Sequence, residues 1–225
     1  VTGFGVAVVE DHRIIKFVEK PPPEKTPSHL INAGVYILDK RVLDLIPSGV
    51  KVSIEREIFP GIAARGEMDG YLYDGLWYDL GSPDRYLEAN LAFLKSHWEK
   101  GIIPREKPRE GVELLEPILF LDGVKLGRSS RIGPNVILGR NVEVGTGTVI
   151  EDSIVMDNVS IGEKSFLKGC IVADNASIGS SVKVKPGAVI GAWVEIHNGV
   201  EVGEDARICP GKEVKIDVGR GEKIL

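Results

Sequence analysis

The sequence predicts two architectures in succession, a mixed α/β region followed by an all-β solenoid. Two observations carry this prediction. Aliphatic residues recur at every sixth position through the second half. In the first half, apolar and polar residues alternate as they do in paired strands, and one segment has the start signals of a helix. Because the two patterns do not overlap, we expect separate regions: residues 1–95, a linker at 96–116, and a repeat region at 117–225.

The repeat in the second half has a period of six residues. Sixteen successive repeat positions hold Val, Ile or Leu, and the spacing shortens by one residue at two places. The next position is often Gly, as in Gly145 and Gly162, and the fifth position of each hexad is mostly small or β-branched. The sixteen aliphatic residues are Leu126, Ile132, Leu138, Val144, Ile150, Val155, Ile161, Leu167, Val172, Ile178, Val184, Ile190, Ile196, Val202, Ile208 and Val214.

A period of six matches neither the 3.6-residue helix nor the two-residue alternation of a simple strand. It fits a short strand followed by a turn. The aliphatic side chain would lie in a narrow core, the small residue at a corner, and Gly would give backbone freedom at the bend. Three such strands close one coil, and coils must stack because one coil cannot bury its own apolar face. Sixteen hexads therefore predict about five coils.

The first half predicts strands and short helices. Apolar and polar residues alternate over Phe4–Val9 and Arg13–Val18, which predicts the two strands of a hairpin. The pattern of Ile31–Leu38 is typical of a third strand. Shorter helices are predicted over Lys40–Ile46 and from Ser53 to the residue before Pro60.

The clearest helix begins at Ser82-Pro83. A serine at the N-cap followed by proline at the first helical position is a strong start signal. An apolar face follows at helical spacing and indicates that this helix packs against another element. The residues of that face are Leu87, Leu91, Leu94 and Trp98.

Composition argues against several classes of protein. The 225 residues carry 28 Lys and Arg against 33 Asp and Glu, and 43% are hydrophobic, which is typical of a globular protein. With a pI near 5.5 the chain is not expected to bind nucleic acid, and no apolar run is long enough to cross a membrane. Two cysteines and the lack of a signal-peptide pattern predict a cytoplasmic protein with idle thiols. The lack of Gln beside abundant Glu and Lys is a sign of a thermophile.

Three short segments of the first half carry a resemblance when taken together. They are Phe17-Val18-Glu19-Lys20-Pro21, Ile31-Asn32-Ala33-Gly34, and Trp77-Tyr78-Asp79-Leu80-Gly81-Ser82-Pro83 with Tyr86. Their order, followed by hexapeptide repeats, resembles the sugar-1-phosphate nucleotidyltransferases, most of all the mannose-1-phosphate guanylyltransferases. The resemblance implies that residues 1–95 are the C-terminal part of a Rossmann-like catalytic domain. It also implies that the solenoid is a left-handed parallel β-helix.

The resemblance implies roles for five residues. Glu19 and Asn32 would hydrogen-bond the sugar, and Gly5 would let the backbone approach the sugar ring. Lys20 would neutralise the sugar 1-phosphate, and Asp79 matches a carboxylate that binds Mg²⁺. With Lys20 and Asp79 as catalytic residues, the implied reaction is in-line attack of the sugar phosphate on the α-phosphorus of a nucleoside triphosphate, with release of pyrophosphate. Such a reaction depends on positioning and charge neutralisation.

One motif of the family has no counterpart in the sequence. The Gly-rich nucleotide-binding loop is missing, because Gly3-Phe4-Gly5 leads into a strand and lacks the third glycine. A second metal-binding Asp is missing as well. We therefore expect a fragment whose N-terminal part is absent, which holds half an active site and is inactive on its own.

Two other functions stay open from the sequence. Some hexapeptide-repeat proteins are acyltransferases with a histidine base, and His197, which follows an inward aliphatic residue, would point outward as such a base. A non-catalytic regulatory or scaffold subunit with a sugar-binding remnant is the other alternative. Trp193 is also predicted to face outward, and an exposed tryptophan predicts a homo-oligomer that forms through the β-helix.

Overall fold

The computed structural model describes residues 3–107 and 109–225. Its internal contacts divide the chain into two units, Val1–Trp77 and Tyr78–Leu225. The first unit is a small α/β arrangement, and the second holds the long helix and a solenoid. No helix in the described part of the chain is long and apolar enough to cross a membrane.

A three-stranded sheet organises the first unit. β1 (Val6–Glu10) and β2 (Arg13–Val18) pair as the predicted antiparallel hairpin, and β3 (Leu30–Ile31) pairs antiparallel with the other edge of β1. β2 packs against α1 (Phe59–Ala64), and a 3₁₀ turn spans Pro23–Lys25. The buried core residues of this unit are Ala7, Phe17, Ile58, Phe59, Ile62 and Ala63.

The prediction of a third strand over Ile31–Leu38 is mostly wrong. Only Leu30–Ile31 pairs with β1, and the chain beyond it is irregular, with Val35 85% exposed and Ile37 fully exposed. Alternating side chains make a strand only where another strand accepts the backbone hydrogen bonds. Within the described residues, β1 pairs with Leu30 and Ile31, so Ile31 is the one paired residue of the predicted strand.

The short helices begin and end differently from the prediction. Lys40–Leu45 is a 3₁₀ helix, and the side chain of its N-cap, Asp39, accepts a backbone hydrogen bond. The segment expected to be helical before Pro60 is helical, but the helix does not stop at the proline. A π-helical turn at Ile54–Ile58 leads into α1, and Pro60 lies in the first turn, where an N–H would have no helical partner. Ser53 makes no capping hydrogen bond with its side chain.

The long helix is predicted correctly. α2 (Pro83–Glu99) begins after Ser82, whose hydroxyl oxygen accepts a hydrogen bond from the Arg85 N–H at 3.4 Å. The helix buries Ala89 and Leu94, and the other apolar residues of the predicted face are half-buried. The face that is apolar in the sequence is therefore the face that packs.

The second unit contains a parallel β-solenoid with three faces. Strands of two or three residues pair in parallel, in register with strands of the neighbouring coils. Face 1 comprises Glu113–Leu114, Arg131–Ile132, Val149–Glu151, Phe166–Lys168, Lys183–Val184 and Glu201–Val202. Face 2 comprises Ile118–Phe120, Val136–Leu138, Ser153–Val155, Ile171–Val172, Val189–Ile190, Arg207–Ile208 and Lys223–Ile224. Face 3 comprises Lys125–Leu126, Glu143–Val144, Ser160–Ile161, Ser177–Ile178, Glu195–Ile196 and Glu213–Val214.

The solenoid makes about six coils, one more than the repeat count predicts. The inward register begins earlier than the first aliphatic residue counted, at Leu114 and Phe120, and ends at Ile224, all of which pack against the core. A repeat defined only by Val, Ile and Leu does not include Phe120, so it misses the first coil. Both shortened spacings fall at corners between face 1 and face 2, where Asp152 and Gly169 have positive φ.

The glycines that follow the inward aliphatic residues allow neighbouring coils to approach closely. A Cβ on Gly145 would lie 2.6 Å from the backbone nitrogen of Glu163, in the next coil. A Cβ on Gly162 would lie 2.5 Å from the backbone nitrogen of Ser180. Of the eight glycines at this repeat position, only Gly133 has a positive φ. The expectation that these glycines give backbone freedom at a bend is therefore wrong, and steric room is their role.

The left-handed backbone conformation falls at the corners, and four asparagines that adopt it each lie three residues after an inward aliphatic residue. Asn135, Asn141, Asn158 and Asn175 all have φ between 55° and 60°, a region that Asn adopts more readily than most residues. Three of these side chains form a ladder along the solenoid. Asn141 Nδ2 donates to Asn158 Oδ1 at 3.1 Å, and Asn158 Nδ2 donates to Asn175 Oδ1 at 3.3 Å. The corners thus add hydrogen bonds between coils.

The fully buried polar side chains described in the solenoid are hydrogen-bonded hydroxyls, namely Ser130, Thr148, Ser153 and Ser165. The Thr148 hydroxyl donates to Gly162 O at 2.8 Å and accepts from the Ser165 N–H at 3.2 Å. Burial raises the pKa of the Cys170 thiol to about 12, so this thiol stays protonated at neutral pH. Cys209 is half-buried, and neither cysteine forms a disulfide.

Gly162→Ala should destabilise the solenoid by about 2 kcal/mol or more, because the new Cβ would clash with backbone atoms of the next coil, which cannot rotate away as a side chain can. Gly219→Ala is the matched control, since its Cβ would approach only the flexible side chain of Glu222, at 3.2 Å. Urea unfolding followed by circular dichroism measures both variants. Equal unfolding midpoints would contradict the steric explanation.

Candidate functional site

Three residues named by the resemblance meet at one end of the small sheet. Gly5 precedes β1, Glu19 follows β2 and Asn32 follows β3, so the antiparallel pairing brings these three positions together. The Asn32 N–H donates to Gly5 O at 2.8 Å. The N–H of Lys20 donates to Phe4 O at 3.2 Å, which holds the end of β2 against the same segment.

Gly5 leaves room for a carboxylate. A Cβ at this buried position would lie 2.6 Å from Glu19 Oε2 and 2.9 Å from Phe17 Cζ. The half-buried Glu19 side chain therefore lies against the Gly5 backbone, where any larger residue would displace it. The glycine thus sets the position of two hydrogen-bond acceptors at the edge of the sheet.

The Asn32 amide is held in one orientation by two hydrogen bonds. Its Oδ1 accepts from the Gly34 N–H at 3.0 Å, and its Nδ2 donates to the Tyr36 hydroxyl at 2.5 Å. Burial raises the pKa of Tyr36, and the nearby carboxylates of Glu55 and Glu19 raise it further. The hydrogen bond from the Asn32 amide lowers this pKa but does not cancel the effect of burial. The phenol therefore keeps its proton at neutral pH. We call Gly5, Glu19, Asn32 and Tyr36 the strand-end cluster.

Aromatic rings fix the chain segments that carry the strand-end cluster. The rings of Phe4 and Trp77 meet edge to face with centroids 5.3 Å apart, and Trp77 Nε1 donates to Ala33 O at 3.1 Å. Tyr36 meets Phe59 edge to face at 4.9 Å. Four segments distant in sequence are therefore joined around the cluster by rigid side chains.

Lys20 is exposed and has a left-handed backbone, with φ of 49°. Within the described part of the first unit, the ion pairs join other residues, namely Arg13 to Asp69, Arg41 to Asp39 and Arg65 to Glu67. The Lys20 ammonium group is therefore not neutralised by a carboxylate of this unit. It is available to an anionic ligand.

Asp79 belongs to the second unit, in the segment that leads into α2. Its Oδ2 lies 2.5 Å from Arg85 Nη1, so the carboxylate is already paired with a guanidinium group. Mg²⁺ takes several oxygen ligands, and among the described residues Asp79 belongs to no group of three or more side chains that could ligate a metal. The residues present therefore do not form a divalent-metal site around Asp79.

α2 is docked against face 2 of the solenoid. Ile154 and Ile171 precede inward residues and point outward, yet they are only 4% and 6% exposed, and α2 contacts the strand Val136–Leu138 of the same face. Near the other end of that face, Arg207 Nη2 lies 3.1 Å from Asp84 Oδ1 in the first turn of α2. The segment that enters α2 is therefore anchored by apolar packing and by an ion pair.

The two outward residues of the repeat lie on the surface, as predicted. Trp193 occupies a corner with φ of 62° and is 67% exposed. His197 lies on the outer side of face 3, and its Nε2 is 2.7 Å from Glu213 Oε1.

Two partners of the implied residues were not expected from the sequence. The alternating pattern places Tyr36 in a strand, which hides its bond to an amide four residues earlier. Arg85 lies in the first turn of α2, from which its side chain reaches back to Asp79, and residue spacing does not predict this contact.

Two family models cover most of the chain. Residues 1–96 match the model described as nucleotidyl transferase. Residues 114–224 match the model described as GMPPB C-terminal domain. The chain is thus similar to nucleotidyl transferases over its first 96 residues and to the GMPPB C-terminal domain over most of the rest. The acyltransferase and scaffold alternatives are therefore less supported than nucleotidyl transfer.

The curated relatives are longer than this chain. Mannose-1-phosphate guanylyltransferase from Mycobacterium tuberculosis is 31% identical over 152 residues, which covers 66% of this chain and 39% of that protein. Probable mannose-1-phosphate guanylyltransferase 1 from Oryza sativa subsp. japonica is 30% identical over 235 residues, which covers 99% of this chain and 60% of that protein. The chain thus spans between 39% and 60% of the length of these relatives.

Solved structures give a weaker likeness. A hexapeptide transferase family protein from Anaplasma phagocytophilum is 19% identical, and the match covers 50% of this chain and 72% of that chain. The TM-score is 0.38, which is too low to support any comparison of function.

Leu94→Ala should loosen α2 more than Arg207→Ala does. Truncating a fully buried leucine costs about 2–5 kcal/mol, whereas an exposed ion pair contributes about 0–1 kcal/mol. Hydrogen exchange of the α2 amides measures the difference, with Lys95→Ala as an exposed control on the same helix. Faster exchange in Arg207→Ala than in Leu94→Ala would show that the ion pair, rather than packing, holds the helix.

Proposed function

We propose that the protein containing this chain joins a sugar 1-phosphate to a nucleoside triphosphate, giving a nucleotide sugar and pyrophosphate. The strand-end cluster carries the proposal, because it gathers a carboxylate, an amide and a phenol within the residues matched by the nucleotidyl transferase model. The names of the relatives make mannose 1-phosphate and GTP the first substrates to test.

Glu19 and Asn32 are proposed to bind sugar hydroxyls. A carboxylate accepts hydrogen bonds, while an amide both donates and accepts, so the pair can distinguish the directions of neighbouring hydroxyls. Gly5 keeps a side chain away from the space beside them. Because Gly34 and Tyr36 already hold the amide, Asn32 loses little conformational freedom when a sugar binds.

Lys20 is proposed to neutralise the phosphate of the sugar 1-phosphate. Its exposed ammonium group has no carboxylate partner among the described residues of the first unit. An oxygen of that phosphate attacks the α-phosphorus of the nucleoside triphosphate. The bond between the α-phosphorus and the bridging oxygen breaks, and pyrophosphate leaves with the electron pair. The protein contributes positioning and charge neutralisation rather than a covalent intermediate.

The family generally uses a divalent metal, and we propose Mg²⁺ for this protein. Such an ion offsets the negative charge of the phosphates when it is bound. Asp79 can offer it Oδ1 while Oδ2 stays paired with Arg85, so other ligands must come from substrate phosphates, water or residues outside this chain. The roles proposed for Glu19, Asn32 and Lys20 do not depend on Asp79.

This chain is proposed to supply the sugar-phosphate half of the active site. Its 225 residues contain no Gly-rich phosphate loop, the feature whose backbone N–H groups commonly bind a triphosphate. The preference for a base is therefore expected to lie elsewhere in the protein. We place the reaction in the cytoplasm, where sugar phosphates and nucleoside triphosphates are available together.

Isothermal titration of the chain with mannose 1-phosphate should detect binding, and addition of GTP should release no pyrophosphate. Asn32→Ala should weaken binding about tenfold, because the loss of about 1.4 kcal/mol, the scale of one hydrogen bond, is a factor of ten. Asn90→Ala is a matched amide deletion in α2 and should leave the affinity unchanged.

The outcomes separate the alternatives. Equal affinity of Asn32→Ala and the unchanged chain would reject the strand-end cluster as the sugar site. Robust release of pyrophosphate from the chain alone would reject the half-site proposal. Binding of sugar phosphate by the chain, combined with inactivity of the longer protein that contains it, would favour the non-catalytic alternative.

We also propose that the solenoid forms a homo-oligomer through the corner at Trp193. A bulky residue with positive φ is strained, and a tryptophan that is 67% exposed leaves a large apolar surface in water. Burial against a second copy would offset both costs.

Trp193→Glu should therefore lower the average mass measured by light scattering, because a charge at the contact would have to be desolvated. Leu225→Glu is the control, since Leu225 is also exposed but lies at the chain terminus. An unchanged mass for Trp193→Glu would contradict the proposed contact.

A further inference from the structure

Three side chains that can ligate a metal meet on the outer side of face 3. Glu195 and Glu213 lie directly opposite each other in adjacent parallel strands. His197 follows the inward residue Ile196, and its Nε2 lies 2.7 Å from Glu213 Oε1 and 4.0 Å from Glu195 Oε1. One donor atom of each residue lies within 4.8 Å of the other two.

The stacking of coils brings two negative charges together at this place. Carboxylates directly opposite in neighbouring strands repel each other. Lys215 Nζ lies 2.9 Å from Glu213 Oε2, so an ammonium group faces one of the two carboxylates. Among the described residues, no Lys or Arg forms an ion pair with Glu195, whose nearest basic group is the His197 imidazole at 4.0 Å.

The donor set is particular to the last coils of face 3. Earlier coils carry Ser160 and Ser177 before the inward residue, and Gly162 and Gly179 after it. The glycines at the histidine position have no side chain to offer, so the three donors are not a general property of the solenoid. An imidazole with two carboxylates suits Zn²⁺ and related transition metals, whereas Mg²⁺ prefers oxygen ligands alone.

We propose that Glu195, His197 and Glu213 bind one divalent transition-metal ion of the zinc type. His197 supplies Nε2 and each glutamate supplies one oxygen, which leaves a fourth position for water. The ion replaces the repulsion between the carboxylates with attraction. It also ties two neighbouring coils together, because its ligands come from both. This site does not depend on the nucleotidyl transfer proposed above.

Calorimetric titration of the chelator-treated chain with Zn²⁺ tests the proposal. One ion should bind per chain, and the thermal unfolding midpoint should rise with Zn²⁺ but not with the same concentration of Mg²⁺. His197→Ala should weaken binding at least tenfold and remove the rise in midpoint. His29→Ala, which removes an exposed histidine of the first unit, should change neither measurement.

Two further variants sharpen the test. Glu213→Gln should weaken Zn²⁺ binding, and Lys215→Met should strengthen it, because the ammonium group that competes for Glu213 is gone. Circular dichroism of the unloaded variants checks that each has folded. Unchanged Zn²⁺ affinity in folded His197→Ala would overturn the proposal, and so would equal stabilisation by Mg²⁺ and Zn²⁺.

Discussion

Parallel stacking in register is the constraint on which the second unit depends. Paired residues of neighbouring coils are 16 to 18 positions apart, so a requirement at one place recurs in the next coil. The backbone of the neighbouring coil excludes a Cβ at Gly145 and Gly162. The same neighbour satisfies the buried hydroxyls of Thr148 and Ser165. Stacking also places the carboxylates of Glu195 and Glu213 opposite each other, and neighbouring side chains or a bound cation have to offset their repulsion.

The solenoid was the most predictable part of the molecule, because a six-residue period has few other structural explanations. Its first coil was not counted, since Phe120 breaks a pattern defined by three residue types. A second signal was also present in the sequence. Residues immediately before the inward positions of face 2 are apolar in coil after coil, which predicts an element covering that face. They are Leu119, Ile137, Ile154, Ile171 and Val189.

In the first unit, local structure was predictable and distant partners were not. The hairpin follows from alternation within one segment, but the strand expected over Ile31–Leu38 needed a partner that the pattern cannot reveal. The placement of Glu19 and Asn32 came from the resemblance, and the pairing of three strand ends explains why they meet. The bonds to Tyr36 and Arg85 depend on turn geometry and side-chain rotation, which spacing alone does not encode.

Helix α2 crosses several coils at once. From the strand Val136–Leu138 to Arg207, face 2 advances by four strand spacings, about 19 Å, and the 17 residues of α2 extend about 25 Å. A bare solenoid tolerates the gain or loss of a whole coil, because each coil touches only its neighbours. Here an extra coil beneath the helix would carry Arg207 about 5 Å past Asp84. The length of α2 therefore matches the number of coils that it crosses. A solenoid with more or fewer coils beneath the helix would need a helix of another length or another anchoring contact.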